Sequence, residues 1–123
     1  MWDQAASSSQ GGKRLRALLA LDAFDILAGD VTPDRRDAMI DLACAIEVFQ
    51  TAALVHDDII DESDLRRGKP SAHRALEQAV HSGAIGRGLG LMLGDILATA
   101  CIEITRRSAS RLPNTDALNE AFL

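Results

Sequence analysis

Aromatic side chains are scarce in this sequence, which has three Phe, one Trp and no Tyr among its 123 residues. Its core must therefore be built from aliphatic side chains. Cysteine is scarce too: Cys44 and Cys101 are far apart and lack the spacing of a metal site. Each stands in an apolar stretch, so we expect two buried thiols in a reducing compartment and hence a cytoplasmic protein.

The chain also lacks an excess of positive charge. It has 13 Lys+Arg against 18 Asp+Glu, a formal net charge of -5. This balance argues against nucleic acid or an acidic membrane surface as a partner, although local basic clusters could bind small anions. The first residues are polar and Lys13 follows, so no signal peptide is expected. No transmembrane segment is expected either, because the most apolar window, residues 83–102, contains Arg87 and Asp95.

Apolar residues at helical spacing predict an all-α chain with no strand. We expect a flexible lead-in over residues 1–12 and helical structure over residues 13–123. Gly29 ends the first helix, and Thr32-Pro33 begins an unusually long one that runs as far as Asp61. The other expected elements are a loop over residues 62–71, a short helix capped by Ser71 and ending near Val80, a helix over residues 85–107, and a last helix beginning at Thr115.

The residues that carry chemistry begin with Asp57, Asp58 and Asp61 at the end of the long helix. Asp57 and Asp61 are four residues apart, so their carboxylates share one helix face, about 6 Å apart. They repel each other and stand at the negative end of the helix dipole, so they require a compensating cation. A few carboxylates of this kind suit Mg²⁺, which completes its shell with water and substrate phosphates. The alternative interpretation is a solvated acidic helix end.

Basic residues flank this acidic cluster along the chain. Arg66 and Arg67 follow it on a loop, where two adjacent guanidinium groups could serve two different phosphate groups. Gly11-Gly12 precedes Lys13 and Arg14 at a helix start, where free backbone N–H groups offer an anion site. A solvated arginine pair and a basic surface turn are the alternatives. Combined with the acidic cluster, the basic residues indicate a site for diphosphate.

Residues 11–16, residues 47–70 and Leu93-Gly94-Asp95 together resemble the trans-isoprenyl diphosphate synthases, also called polyprenyl synthetases. The similarity extends from Gly11 to about Cys101 and is most specific over residues 57–68. It implies a helical bundle of the isoprenoid synthase type around a deep apolar cavity, usually in a homodimer. Only the amino-terminal helices of such a bundle are present, so residues 13–123 would be the amino-terminal part of its helical domain.

The resemblance implies a prenyltransferase of isoprenoid biosynthesis that adds isopentenyl diphosphate head-to-tail to an allylic diphosphate. Mg²⁺ would be the cofactor, held on the allylic diphosphate by Asp57 and Asp61 with support from Asp58. Arg66 would contact that same diphosphate. The residues implied to bind isopentenyl diphosphate are Lys13, Arg14, Arg67 and Gln50, the last of which stands where the family commonly has His.

Two other functions share part of this pattern. A terpene cyclase uses the same aspartate-rich cation chemistry, but it would not need Lys13, Arg14 and Arg67. A truncated or regulatory subunit, without catalysis of its own, would bind diphosphate or assemble with a full-length synthase. The second alternative is favoured by the absence, in this chain, of the second aspartate-rich motif of the family. Co-purification with a longer homologue would support it.

The residues before Asp57 bear on the length of the product. One helical turn rises 5.4 Å, about the length of one isoprene unit (~5 Å), so each turn upstream of Asp57 corresponds to roughly one unit of depth. In the family, bulky aromatics four or five residues before the first Asp stop growth at fifteen carbons, and here Ala53 and Ala52 stand at those positions. Phe49, one turn deeper on the Ala52 side, would be the next residue to block chain growth, or else a core residue. We therefore expect a product longer than farnesyl, with geranylgeranyl diphosphate favoured.

Overall fold

The computed structural model describes residues 1–123 and is 75% helical. The expected all-α class is therefore confirmed. A short antiparallel ladder, in which β1 (Leu65–Arg66) pairs with β2 (Lys69–Pro70), was not expected and lies inside the predicted loop. The six helices are α1 (Trp2–Ser8), α2 (Leu15–Leu27), α3 (Pro33–Ile60), α4 (Ala72–Val80), α5 (Gly83–Ala109) and α6 (Thr115–Phe122).

The long helix α3 begins where its capping residues predict. Thr32 Oγ1 accepts the backbone N–H of Arg35 at 3.4 Å, and Pro33 occupies the first helical position. Asp34 stands in the first turn, next to the positive end of the helix dipole. Upstream, Gly29 adopts a φ of +65°, which ends α2 at little steric cost. Local signals are thus sufficient to set the boundary between α2 and α3.

The lead-in over residues 1–12 contains helix α1, which the sequence did not predict. Asp3 stands in its first turn, and Gln4 Nε2 donates to Ser8 Oγ at 3.1 Å. The chain also divides into two compact units, and the assignment of residues 13–123 to one part of a helical domain stays a prediction. Unit 1 comprises residues 1–12 and 49–98, and unit 2 comprises residues 13–48 and 99–123.

Unit 2 is built on the aliphatic core that the composition requires. Its buried core cluster comprises Ala38, Met39 and Leu42 of α3 together with Leu112, which follows α5. Arg111 pairs with Asp41 at 2.9 Å on the surface of this unit. The partly buried side chains packed against the core are Ala20, Leu21 and Phe24 of α2 and Leu118 of α6.

Unit 1 depends on glycines that bring α5 close to its neighbours, as their density in the sequence indicates. A Cβ at Gly90 would lie 2.8 Å from the Cβ of His73 and 3.0 Å from the Cδ1 of Ile59, so only glycine fits there. Gly94 packs directly against the imidazole of His56. The acidic end of α3 and the short helix α4 are therefore both held against α5.

The cysteines differ from the expectation of two buried thiols. Cys44 is exposed and Cys101 is half-buried, and neither forms a disulfide. The buried neighbours Leu42, Ala43 and Ala45 occupy the inner face of α3, so Cys44 is turned outward by the helical period. Partial burial raises the pKa of the Cys101 thiol.

Two helices, α3 and α5, are long and apolar enough to cross a membrane by length and composition alone. This differs from the expectation that residues 83–102 fail that test, because two charged residues do not make the window polar enough. Helices that form a protein core pass the same test, and both windows are partly buried inside this chain. The absence of a transmembrane segment therefore stays a prediction.

Two buried side chains hold the loop between α3 and α4 in place. They are Ser71 and His73, which are 0% and 2% exposed. Ser71 does not cap α4 with its side chain; its hydroxyl donates instead to the carbonyl of Ser63 at 2.7 Å. Because that hydroxyl has only one hydrogen, the contact of 3.3 Å with His73 requires Nδ1 of His73 to be the donor. Nε2 of His73 is then a buried acceptor without a partner in the chain.

We expect His73 to make stability depend on pH. Burial, with Arg74 nearby, lowers its pKa in the folded chain. Below about pH 6.5 the unfolded chain therefore takes up a proton that the folded chain does not bind. The free energy of unfolding decreases as the pH is lowered. His73→Asn keeps a donor near Ser71 but does not titrate, so urea unfolding at pH 7 and pH 5 should show a smaller drop. The exposed His81→Asn variant is the control, and a drop in His73→Asn as large as in the parent chain would contradict the assignment.

Candidate active site

The three carboxylates at the end of α3 differ in exposure. Asp57 and Asp61 are exposed on one face, as their spacing predicts, whereas Asp58 is 2% exposed. Asp58 lies on the packed side of the helix together with Val55 and Ile59. The exposed pair is thus accessible to a ligand or a cation, while Asp58 faces the protein.

Asp58 is paired with Arg66 by two hydrogen bonds. Arg66 Nε donates to Oδ2 at 3.1 Å, and Nη2 donates to Oδ1 at 2.5 Å. These bonds raise the pKa of the Arg66 guanidinium, and the nearby charges of Asp57 and Asp61 act in the same direction. The pair uses two of the five N–H donors of a guanidinium group. The other edge of Arg66 is left to bind an anion, in an orientation that Asp58 fixes.

Arg67 reaches a different part of the same unit. Its Nη1 donates to the carbonyl oxygen of Gln10 at 2.7 Å, and its side chain lies over Gly11 and Gly12. A Cβ at Gly12 would be 3.0 Å from Nη2 of Arg67. The two glycines have φ values of +78° and +73°, which side chains rarely adopt. The adjacent arginines therefore diverge, Arg66 toward the acidic cluster and Arg67 toward the glycine pair that precedes Lys13.

A pocket of about 310 Å³ lies between α1, α3 and the β1–β2 loop within unit 1. Three cationic side chains line it against one carboxylate, and that carboxylate is already paired with an arginine. The pocket is therefore suited to an anion. Its charged and polar side chains include Asp58, Arg66, Arg67 and Lys69, with Gln4, Ser7 and Ser8 from α1.

The basic turn that follows the glycine pair belongs to unit 2. Lys13 is exposed, and Arg14 is half-buried in a left-handed backbone conformation with a φ of 53°. Arg14 Nη1 lies 3.8 Å from Oε2 of Glu47, and the other oxygen of Glu47 accepts the backbone N–H of Ala17 at 3.1 Å. Since Glu47 takes that N–H, only part of the predicted anion site at this helix start is left for a ligand. Gln50 is half-buried on α3.

The residues predicted to set product length lie on two faces of α3. Phe49 and Ala53 are exposed, and their spacing of four residues aligns them with Asp57. Ala52 is 3% exposed and belongs to the packed face. The structure thus brings Phe49 and Ala53 into line with the acidic pair and separates Ala52 from them.

A metal site cannot be recognised from convergent ligands, because no group of three or more His, Cys, Asp or Glu side chains comes together. Asp57 and Asp61 nevertheless fit Mg²⁺, which proteins often hold through one or two carboxylates plus water and substrate phosphates. Arg66 of β1 is paired with Asp58, which follows Asp57 in α3. It would therefore face the phosphates that complete such a shell. The donor set therefore agrees with magnesium at these two residues.

The segment around Gly94 lies beside the acidic cluster. His56 Nε2 is 3.2 Å from the carbonyl oxygen of Leu91 and 3.5 Å from Oδ1 of Asp95. His56 precedes Asp57 in α3, so these contacts fix the end of that helix against α5. His56 thus packs and hydrogen-bonds beside the cluster.

Comparison with known proteins agrees with this geometry. The family model described as polyprenyl synthetase matches residues 4–123. The chain belongs to the polyprenyl synthetase family. Its similar relatives include geranylgeranyl pyrophosphate synthase 11, chloroplastic, of Arabidopsis thaliana, which is 35% identical over 95 residues, covering 76% of this chain and 23% of the relative.

Two bacterial members of the polyprenyl synthetase family show comparable similarity. Octaprenyl diphosphate synthase of Escherichia coli (strain K12) is 33% identical over 113 residues, which cover 92% of this chain and 30% of the relative. Farnesyl diphosphate synthase of Geobacillus stearothermophilus is 36% identical over 112 residues, which cover 89% of this chain and 33% of the relative. The chain thus spans 23% to 33% of the length of these three curated relatives.

In this polyprenyl synthetase chain, three side chains hold the backbone near the site through contacts that the sequence did not predict. They are Glu47 at the basic turn, and Ser71 and His73 directly after β2. Glu47 carried a usable signal, since it is the only acidic residue in the apolar stretch over residues 42–56. An isolated carboxylate in such a stretch must find a donor. Ser71 and His73 carried none, because Ser71 bonds a backbone carbonyl and His73 bonds the Ser71 hydroxyl.

We expect Arg66→Met to destabilise the fold more than Arg67→Met. Removing Arg66 leaves the buried carboxylate of Asp58 without its two donors, which should cost about 2 kcal/mol or more. Removing Arg67 exposes only a backbone carbonyl to water and should cost less than about 1 kcal/mol. Urea unfolding of both variants at pH 7 measures the difference. Equal losses would show that the Asp58–Arg66 pair does not anchor the loop.

Proposed function

We propose that this chain forms the diphosphate-binding part of a prenyl diphosphate synthase of isoprenoid biosynthesis. In that reaction an allylic diphosphate is joined head-to-tail to isopentenyl diphosphate. The observation that supports this most directly is the divergence of Arg66 and Arg67. Adjacent guanidinium groups with different neighbours are suited to two separate diphosphates, as a condensation of two diphosphate substrates requires.

The allylic diphosphate would bind at the acidic end of α3. Asp57 and Asp61 would hold Mg²⁺, which when bound helps to neutralise the charge of the departing diphosphate. Arg66 would bind the same diphosphate with the donors that Asp58 leaves available. Because Asp58 holds the guanidinium in place before the substrate arrives, little reorganisation is needed when the allylic C–O bond breaks.

Isopentenyl diphosphate would bind at Arg67, whose side chain lies over Gly11 and Gly12. The negative charge of this diphosphate would be neutralised by Arg67, Lys13 and Arg14. Gln50 would donate one further hydrogen bond. The C–O bond electrons leave with the allylic diphosphate, and the double bond of isopentenyl diphosphate attacks the resulting carbocation. A proton is then lost, with the released diphosphate as its acceptor. No nucleophilic side chain is required, and the residues that line the pocket include no His or Cys that would form a Ser/His or Cys/His pair.

The finer features of this proposal are the product, the assembly and the compartment. We propose a product longer than farnesyl, with geranylgeranyl diphosphate favoured, since Ala53 places no bulk one turn before Asp57. The relatives named for geranylgeranyl, octaprenyl and farnesyl products have nearly the same sequence identity to this chain. Identity therefore does not select among these products. A homodimer of the full-length form and a cytoplasmic location complete the proposal.

Calorimetric titration with isopentenyl diphosphate tests the role of the glycine pair. Gly12→Ala should weaken binding about tenfold. The added methyl group would strain the backbone, whose φ is +73°, and would displace the guanidinium of Arg67. Gly29→Ala is the matched control: its φ is +65° and nothing lies within 4 Å of the added carbon. It should lower stability by about 1 kcal/mol and leave the affinity unchanged. A similar loss of affinity in both variants, or no binding by the parent chain, would contradict the proposed site.

Product analysis tests the reaction and its chain length. With Mg²⁺, labelled isopentenyl diphosphate and farnesyl diphosphate, we expect a product longer than farnesyl that disappears with a chelator. Ala53→Phe adds bulk on the face of Asp57 and should shorten the product. Ala52→Phe, at a buried position, should instead lower stability by about 1–3 kcal/mol. An unchanged product length in Ala53→Phe would refute the assignment of this face, and diphosphate binding without any product would favour a binding subunit that assembles with a longer synthase.

A further inference from the structure

Helix α2 begins without a capping side chain of its own. Its N-cap residue is Arg14, which makes no side-chain cap hydrogen bond and has a φ of 53°. A residue with a Cβ pays about 1 kcal/mol or more for this left-handed conformation. The turn that presents Lys13 and Arg14 is therefore unfavourable on local grounds, and contacts from elsewhere must hold it.

The carboxylate of Glu47 on α3 makes two such contacts within unit 2. Oε1 of Glu47 accepts the backbone N–H of Ala17, in the first turn of α2, at 3.1 Å. Oε2 of the same side chain lies 3.8 Å from Nη1 of Arg14. The Glu47 side chain is only 13% exposed, so little water competes for these contacts. Glu47 thus caps a helix to which it does not belong and pairs with that helix's N-cap residue.

We propose that Glu47 is a positioning residue for diphosphate binding at Lys13 and Arg14. It holds the strained turn, so that the two cations and the first N–H groups of α2 are arranged before a ligand arrives. Glu47 itself would not touch the ligand. This inference rests on the proposed function, because that function assigns the diphosphate to this turn.

The negative charge of Glu47 allows its geometric role to be separated from its electrostatic effect. A carboxylate beside an anion site repels the anion, so on electrostatic grounds alone its removal should tighten binding. Any benefit of Glu47 must therefore come from geometry. Glu47→Gln keeps an oxygen that can accept the Ala17 N–H and removes the charge, whereas Glu47→Ala removes both. The two variants separate the roles of geometry and charge.

Two measurements on the intact chain test this assignment. The first is calorimetric titration with inorganic diphosphate, in which Glu47→Ala should bind about tenfold more weakly than the parent chain. Glu47→Gln should bind as tightly as the parent chain or more tightly. The second is hydrogen exchange of the Ala17 amide, which should lose its protection in Glu47→Ala and keep it in Glu47→Gln.

Asp25→Ala is the matched control, because Asp25 of α2 forms an exposed ion pair with Arg36 of α3 far from the basic turn. It removes a link between the same two helices and should change neither measurement. Glu47→Ala binding as tightly as the parent chain, or with Ala17 still protected, would overturn the inference. Failure of the parent chain itself to bind diphosphate would contradict the proposed function instead, and the protection of Ala17 would still decide whether Glu47 holds the turn.

Discussion

The buried carboxylate of Asp58 is the constraint on which the site depends. An ionised carboxylate that is 2% exposed must be paired, and the only guanidinium bonded to it belongs to Arg66, eight residues later. That requirement fixes where the chain goes after α3, and the short ladder between Leu65–Arg66 and Lys69–Pro70 is the path that satisfies it. Once Arg66 faces Asp58, the left-handed backbone at Arg67 turns the next side chain toward Gly11 and Gly12.

Charge distribution explains how a chain with a net charge of -5 can offer an anion site. The pocket in unit 1 contains Arg66, Arg67 and Lys69, and its one carboxylate is already neutralised by pairing. The excess of acidic side chains lies elsewhere, partly in exposed pairs that are worth little to stability. Glu103 is an example, since Arg106 and Arg107 hold the pKa of its carboxyl at about 2. Net charge therefore argues against a large polyanion as partner but not against a small anion.

Most of the helical architecture could be predicted because its causes are local. Thr32-Pro33, Gly29 and the 3.6-residue period set α2 and α3, and the spacing of Asp57 and Asp61 set their shared exposed face. The misses have equally physical reasons. Helix α1 is Ser-rich and weakly helical by composition, and Cys44 stands in an apolar stretch while facing outward. The pairing of Asp58 with Arg66 and the contact of Glu47 with Ala17 join residues in different elements, so the helical period does not predict them.

Burial divides the carboxylates of this site into two kinds, and the division follows from physical chemistry. Exposed carboxylates such as Asp57 and Asp61 keep their hydration until a cation replaces it, so they can exchange partners during a reaction. Carboxylates with little exposure, Asp58 and Glu47, cannot release their donors without leaving a desolvated charge behind. They are therefore suited to hold other groups in place, the guanidinium of Arg66 in one case and the turn at Arg14 in the other. A helix that carries both kinds can bind a substrate through one face while orienting the neighbouring cations through the other.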